Sequence, residues 1–226
     1  GPQNNKVRAA LMQTGSGAAQ TTPQAMQTVL QKPNACAQKQ SVRAELKRTA
    51  DAFSKQYVRE AGGAVCRAIL QSREFLQAQT IFGYLSFRNE ISVDAVLREA
   101  LRMGKTVTVP YIVSDTEMEA AALTSLDNLP LDRYGIRTVP QPCRVVQPQE
   151  PDLILVPGTG FTATGRRMGR GAGFYDRFLE RARGFTLGVT CDKLLRNEIP
   201  ADEHDRAVQA VVTETKFIYC YTKGVK

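Results

Sequence analysis

The stretch Asp152-Leu-Ile-Leu-Val-Pro157 constrains the fold of this chain more than any other. Its four consecutive apolar residues lie between Pro151 and Pro157. They show neither the alternation of a half-exposed strand nor the length of a core helix. Such a run fits a central strand of a parallel sheet, covered on both faces, whose parallel neighbours are reached by crossover connections.

The remaining sequence supplies the alternation that this reading needs. Val42, Leu46, Ala50 and Phe53 recur at three- and four-residue intervals, and Tyr57, Ala61, Val65, Ile69 and Leu70 continue on a second amphipathic stretch. Two amphipathic helices are therefore expected ahead of the first strand. Thr80 to Phe87 and Thr106 to Val113 are apolar and rich in strand formers. Between them Ser92 is expected to cap a helix that carries Val93, Val96, Leu97 and Leu101 and ends at Gly104, which makes a βαβ unit. Further strands are expected at Met118 to Leu123, Phe185 to Thr190, Val208 to Thr213 and Phe217 to Tyr221. A helix is expected from Gly173 through Phe178 and Leu179, and a long proline-bearing connection from Asp127 to Pro151. The pattern predicts a three-layer α/β/α domain with a mostly parallel central sheet.

Length and charge narrow the function. The 226 residues are 42% hydrophobic and 23% charged, which suits one globular domain. Residues 1–36 read as an N-terminal extension, with Gly1-Pro2 a protease-cleavage scar, and residues 37–226 as the domain. The formal charge of +8 is unevenly placed: residues 1–44 hold Lys6, Arg8, Lys32, Lys39 and Arg43 and no acid. Taking those five from 30 basic residues leaves 25 against 22 acidic, a net of +3, so no nucleic-acid partner is expected. No apolar run approaches the ~18 residues of a membrane span. The expectation is a cytoplasmic monomer, with the acid-free extension keeping a mitochondrial destination open. Five scattered cysteines lack zinc-site spacing, and His204 is the only histidine, which excludes any two-histidine mechanism.

Chemistry is concentrated beyond the apolar run, in Gly165-Arg-Arg-Met-Gly169-Arg-Gly171-Ala-Gly173-Phe-Tyr-Asp176. Glycines 169, 171 and 173 free backbone N–H groups to face an anion, and the following helix adds its positive end. Arg166, Arg167 and Arg170 add guanidinium forks suited to phosphate. In open α/β sheets, ligands gather where this run lies, beyond the carboxyl ends of strands. A flexible surface loop or an RNA-contacting arginine–glycine segment has similar composition. Such segments usually repeat in tails, however, whereas this single copy is set between a buried strand and an amphipathic helix. A built-in anion site is the favoured reading.

The run Val156-Pro-Gly-Thr-Gly-Phe161 followed by Gly165 to Asp176 resembles the signature of the 5-formyltetrahydrofolate cyclo-ligase family, the methenyltetrahydrofolate synthetases. Lys39-Gln-Ser-Val-Arg43 with Glu45-Leu-Lys47 resembles the family's N-terminal helix, and Pro200-Ala-Asp-Glu-His-Asp205 its late loop. The resemblance implies an ATP- and Mg2+-dependent ligase acting on 5-formyltetrahydrofolate and its polyglutamates. Phosphorylation of the formyl oxygen and attack by N10 would yield 5,10-methenyltetrahydrofolate, ADP and phosphate.

Carried onto this sequence, the resemblance puts Lys39, Arg43, Arg167, Gly169, Arg170, Gly171, Gly173, Phe174 and Tyr175 at the nucleotide. It puts Arg43, Leu85, Glu90, Arg170, Gly171, Ala172, Gly173 and Phe174 at the folate. Arg170, Tyr175 and Glu90 become the catalytic candidates, Asp176 and Asp205 the magnesium ligands, and Tyr84, Phe87, Phe174 and Tyr175 candidate walls for the pterin. Thr162, Ala172 and Gln209 stand where charged residues are common in the family, so each is expected to remove a charge near the site. Two rival readings remain at this level. One is a catalytically quiet binder of nucleotide or folate; the other is an RNA-binding module using the basic N-terminal arm and Arg166 to Arg170.

Overall fold

A computed structural model describes residues 34–220. The expected extension lies outside the described residues except for residues 34–36. In chain order the elements are α1 (Ala35–Asp51), α2 (Lys55–Gln71), α3 (Arg73–Gln77), β1 (Thr80–Phe82), α4 (Asp94–Arg102), β2 (Thr106–Ile112), β3 (Met118–Leu123) and β4 (Val145–Val146). They continue as β5 (Leu153–Val156), β6 (Gly160–Thr162), β7 (Arg167–Met168), α5 (Phe174–Arg181), β8 (Phe185–Val189), β9 (Leu195–Arg196), β10 (Ala210–Val212) and β11 (Phe217–Tyr219).

Eight strands form the main sheet in the order β11-β10-β8-β5-β1-β2-β3-β4. The five from β10 to β2 run parallel, and the antiparallel strands β11, β3 and β4 lie toward the edges. β5 sits in the middle, and its side chains explain the unbroken apolar run. Leu153 and Leu155 join a core with α2 and α4 on one face, whereas Ile154 and Val156 join Phe161 and Phe178 on the other. β10 divides in the same way, Ala210 and Val212 on one side and Val211 on the other. Both faces are covered, so alternation in space leaves no alternation of polarity in the sequence.

Local chemistry sets the helix starts. Asn34 Oδ1 accepts from Ala37 N–H at 2.8 Å to begin α1, and Ser54 Oγ from Tyr57 N–H at 3.0 Å to begin α2. Ser92 does not cap α4 in this way. Val93 occupies the cap position, and the Ser92 hydroxyl accepts from Asp94 N–H at 3.2 Å, one residue too early to serve the helix interior.

Two sequence expectations are corrected near the sheet centre. The strand expected over Thr80 to Phe87 stops at Phe82. A Cβ at Gly83 would lie 2.5 Å from Leu97 Cδ2, so the chain passes close over α4 there and continues across the end of the sheet. Nor does β5 run straight into the glycine loop. The β6–β7 hairpin intervenes, and with β9 it forms a second, three-stranded sheet. Strands of two or three residues are too short to register as periodicity.

These connections position the site. β1 leads through α4 to β2 on one side of the sheet order, and β5 leads through the hairpin and α5 to β8 on the other. The crevice between the carboxyl ends of β1 and β5 is thus a topological switch point, where open α/β sheets hold their ligands. Among the described residues, no helix is long and apolar enough to cross a membrane.

Candidate active site

A cleft of about 270 Å³ opens at this switch point. Tyr84, Phe87 and Glu90 line it from the segment after β1, Thr159 from the segment after β5, Arg170 from the glycine loop and Arg43 from α1. Four chain segments meet here, those after β1 and β5 because the parallel strands deliver them to the same end of the sheet.

At its centre Glu90 Oε1 lies 2.6 Å from Arg170 Nη2. The same carboxylate oxygen accepts from Phe87 N–H at 2.8 Å, and the Arg170 guanidinium stands 5.0 Å from the centre of the Phe87 ring. Burial pushes the Glu90 carboxyl above the ordinary glutamate range, while Arg170 and the Phe87 N–H pull it back. The two partners differ in access: the Glu90 side chain is 18% exposed and that of Arg170 46%. A sheltered acceptor therefore faces a half-exposed cation.

Helix α1 closes over the loop. Arg43 Nε donates to Gly169 O at 2.8 Å, and its guanidinium lies against Gly171. One turn earlier Lys39 Nζ sits 2.6 Å from Asp202 Oδ2 and 2.6 Å from Asp205 Oδ2. Partial burial works against the Lys39 charge, but hydrogen bonds to the two carboxylates outweigh it and hold the ammonium above its usual range. The four-residue spacing places both cations on one helical face, as the sequence implied. Gly171 and Gly173 adopt φ of 110° and 74°, a region that side chains with a Cβ resist.

Beneath the loop, Arg167 has a different role from Arg170. Its side chain is 5% exposed, donating from Nη1 to Pro157 O at 3.2 Å and pairing with Asp176 Oδ1 at 3.6 Å. Burial lowers its affinity for the proton, and the Asp176 charge opposes that. Asp176 Oδ1 also accepts from Arg206 N–H at 3.2 Å, which brings the Asp205-Arg206 segment beside it. Among the described residues, no group of three metal-ligating side chains exists. Two neighbouring carboxylates nevertheless suit Mg2+, which commonly completes its shell with phosphate oxygens and water.

Some expected site residues fall elsewhere. Leu85 is buried in the core, so only its main chain could meet a ligand. Tyr84 and Phe87 wall the cleft, whereas Phe174 packs edge-on against Tyr134, and Tyr175 packs against Phe82 beneath Arg167. Burial pushes the Tyr175 hydroxyl well up, so it stays protonated at neutral pH. Thr162 and Gln209 do not border the cleft, contrary to expectation. The Thr162 hydroxyl accepts from Arg166 N–H at 3.0 Å within the hairpin turn, and Gln209 Oε1 accepts from Thr186 N–H at 2.9 Å between β8 and β10. Ala172 is exposed on the loop, its carbonyl accepting from Arg177 Nη2 at 2.6 Å.

Two threonines of the cleft were not among the expected site residues. Thr159 Oγ1 donates to the carbonyls of Met168 and Gly169 at 3.1 and 3.0 Å, tying the loop to the end of β5. Thr190, at the end of β8, lines the cleft with a hydroxyl that is buried and without a hydrogen-bond partner. A threonine inside an apolar strand reads as ordinary strand composition, so only its place in space reveals it.

A family profile described as 5-formyltetrahydrofolate cyclo-ligase matches residues 35–214. A 5-formyltetrahydrofolate cyclo-ligase of Mus musculus is 27% identical over 189 residues, spanning 78% of this chain and 93% of the relative. A probable 5-formyltetrahydrofolate cyclo-ligase of Caenorhabditis elegans is 30% identical over 195 residues, spanning 80% and 94%. The NMR structure of the Aquifex aeolicus 5,10-methenyltetrahydrofolate synthetase is similar with a TM-score of 0.74 at 25% identity, covering 83% of this chain and 96% of that one.

Proposed function

The chain belongs to the 5-formyltetrahydrofolate cyclo-ligase family, and from that premise we propose how its cleft turns ATP and 5-formyltetrahydrofolate into 5,10-methenyltetrahydrofolate, ADP and phosphate. It is a ligase of folate one-carbon metabolism. The observation that carries the proposal is the Glu90–Arg170 pair, which joins the pterin-side segment to the anion-binding loop within one cleft.

A formamide carbonyl is a poor electrophile because its nitrogen feeds it electrons. Transfer of the terminal phosphoryl group of ATP to the formyl oxygen gives an iminium phosphate. N10 then bonds to that carbon, the carbon–oxygen bond breaks, phosphate leaves, and the N10 proton is released. Catalysis of this kind rests on positioning and on charge stabilisation rather than on an enzyme nucleophile.

Each residue has a part in that positioning. The Glu90 carboxylate accepts from the amino and ring N–H groups of the pterin, fixing the formyl oxygen toward the loop. Tyr84 and Phe87 supply the apolar walls. Arg170, released from Glu90 as pterin donors replace it, turns to the phosphoryl oxygens. Backbone N–H groups of Gly169 to Gly173, together with Lys39 and Arg43, hold the rest of the triphosphate. Arg167 acts from below, keeping the loop and Asp176 in place. Asp176 and Asp205 would hold Mg2+, whose contribution is to neutralise charge on the phosphates.

We read the working unit as a monomer. We read its location as cytoplasmic, with the acid-free N-terminal residues keeping a mitochondrial destination open. Against the RNA reading, Arg170 is paired with Glu90 in the cleft while Arg166 lines a separate concavity; the N-terminal arm lies outside the described residues.

The test is to add 5-formyltetrahydrofolate and Mg-ATP to the purified protein. Methenyl absorbance should grow near the ultraviolet edge of the visible, with one ADP released per product. Folate and nucleotide binding without either signal would instead support a catalytically quiet regulator.

A further inference from the structure

Arg177 bonds to the glycine loop without lining the cleft. It stands in the first turn of α5, where the positive end of the helix dipole works against a cation. One turn further on, Arg181 is paired with Glu117. Among the described residues, Arg177 makes no ion pair with a carboxylate. The electrostatics of the helix therefore give no reason for a guanidinium at this position, and its contacts have to supply one.

Both of its hydrogen bonds go to carbonyls of other segments. Nε donates to Thr116 O at 2.5 Å, in the turn between β2 and β3, and Nη2 donates to Ala172 O at 2.6 Å, in the loop. The first anchor is itself fixed, because the Ser114 hydroxyl accepts from Thr116 N–H at 3.2 Å and from Glu117 N–H at 3.0 Å. The second lies between Gly171 and Gly173, the two glycines of positive φ. Glycine permits such angles but populates others as readily, so it cannot hold the loop in one shape. A planar guanidinium, with donors in fixed directions, can. Nη1 lies so near Gly173 that a Cβ there would come within 2.8 Å of it. The same guanidinium stands 5.7 Å from the centre of the Phe174 ring, which Tyr134 meets edge-on at 6.3 Å.

Resting on the reading of this loop as the cradle of the triphosphate, we propose that Arg177 is a positioning residue for the phosphoryl-transfer step. It ties the Ala172 carbonyl to the turn between β2 and β3 and so holds the loop in its anion-binding shape before the nucleotide arrives. A peptide unit is planar and trans, so fixing the Ala172 carbonyl also fixes the Gly173 N–H, which points the opposite way. Without the tie, nucleotide binding would have to order the glycines itself, at a cost in affinity and in alignment of the terminal phosphate.

The test measures dissociation constants for Mg-ADP and for 5-formyltetrahydrofolate, each alone, together with steady-state kinetics, in the wild type, Arg177→Ala, Arg177→Lys and Arg181→Ala. Arg181 is the control, because it ties α5 to the same turn through Glu117 at 3.5 Å rather than to the loop. Arg177→Ala should weaken Mg-ADP about tenfold and lower kcat/KM for Mg-ATP about 100-fold, with folate affinity unchanged. Lysine keeps the charge but lacks the planar fork, so Arg177→Lys should resemble the alanine variant, and it carries the same comparison should that variant unfold. Arg181→Ala should behave as the wild type. Wild-type constants in Arg177→Ala, equal losses in Arg181→Ala, equal weakening of folate and nucleotide, or full recovery by lysine overturns the proposal. A wild type without turnover, in which Arg177→Ala still weakens Mg-ADP selectively, contradicts the proposed reaction but supports the positioning role; a wild type that binds no nucleotide overturns both.

Discussion

Gly165 to Met168 and Gly169 to Gly173 are adjacent and alike in composition, yet the fold uses them in opposite ways. The first half is scaffold. Gly165 turns the β6–β7 hairpin at φ of 89°, where an added Cβ would meet Val208 O at 2.3 Å. Arg167 is buried as a brace, with its Nε lacking any partner. The second half is the site: Arg170 reaches Glu90 in the cleft, and the carbonyl of Gly169 is gripped by Arg43. Arginine and glycine in a loop therefore do not by themselves mark a ligand site. Their roles follow from whether the backbone is paired in a strand, as at Arg167-Met168, or left free beyond one.

That division can be broken by experiment. Glu90→Gln keeps an acceptor for Phe87 N–H but removes the charge that orients the pterin and positions Arg170. Turnover should fall by about 100-fold or more. Thermal stability should hold, and the check is steady-state kinetics beside a melting curve. In the scaffold half the pattern reverses. Gly165→Ala should lower unfolding free energy by about 2–4 kcal/mol in denaturant titration, through a forbidden φ and a backbone collision, while molecules that remain folded turn over normally.

Smaller effects sharpen the boundary of the site. Thr190→Val replaces an unpartnered buried hydroxyl with a methyl of similar size. If that hydroxyl awaits the folate, KM should rise about fivefold, while stability is unchanged or gains about 1 kcal/mol. A KM unaltered by the change would remove Thr190 from the site. The pH dependence follows from Glu90. Because burial raises its pKa, the protonated form persists to higher pH than for an ordinary glutamate, and the acid limb of kcat/KM should lie correspondingly higher. Removing the lowering influence of the Arg170 charge should shift that limb upward again, whereas Arg166→Ala should leave it in place.

Much of the fold was legible because its elements are long or wholly buried. α1 and α2 show their period, and β5 shows its burial in four residues. The short strands β4, β6, β7 and β9 were not legible, since two or three residues carry no period. The site divides in the same manner. Lys39, Arg43, Glu90 and Arg170 stand in motifs that resemble a family, and the structure brings Arg43, Glu90 and Arg170 to one cleft. Thr190 and Arg88 were not among the expected site residues, and the convergence of strand ends brings them to the same cleft. Thr162 and Gln209, which stand where charges are common in the family, serve a turn and strand pairing and do not line the cleft.

The most direct test sets Arg170→Ala beside Arg166→Ala in the same single-turnover assay of methenyl formation and ADP release. Both side chains are exposed and four residues apart, so their effects on folding should be small and similar. Arg170→Ala should slow the reaction by about 1,000-fold and Arg166→Ala by less than about twofold. Near wild-type rates in Arg170→Ala, or an equal loss in both variants, would contradict the placement of the reaction at the Gly169 to Gly173 loop.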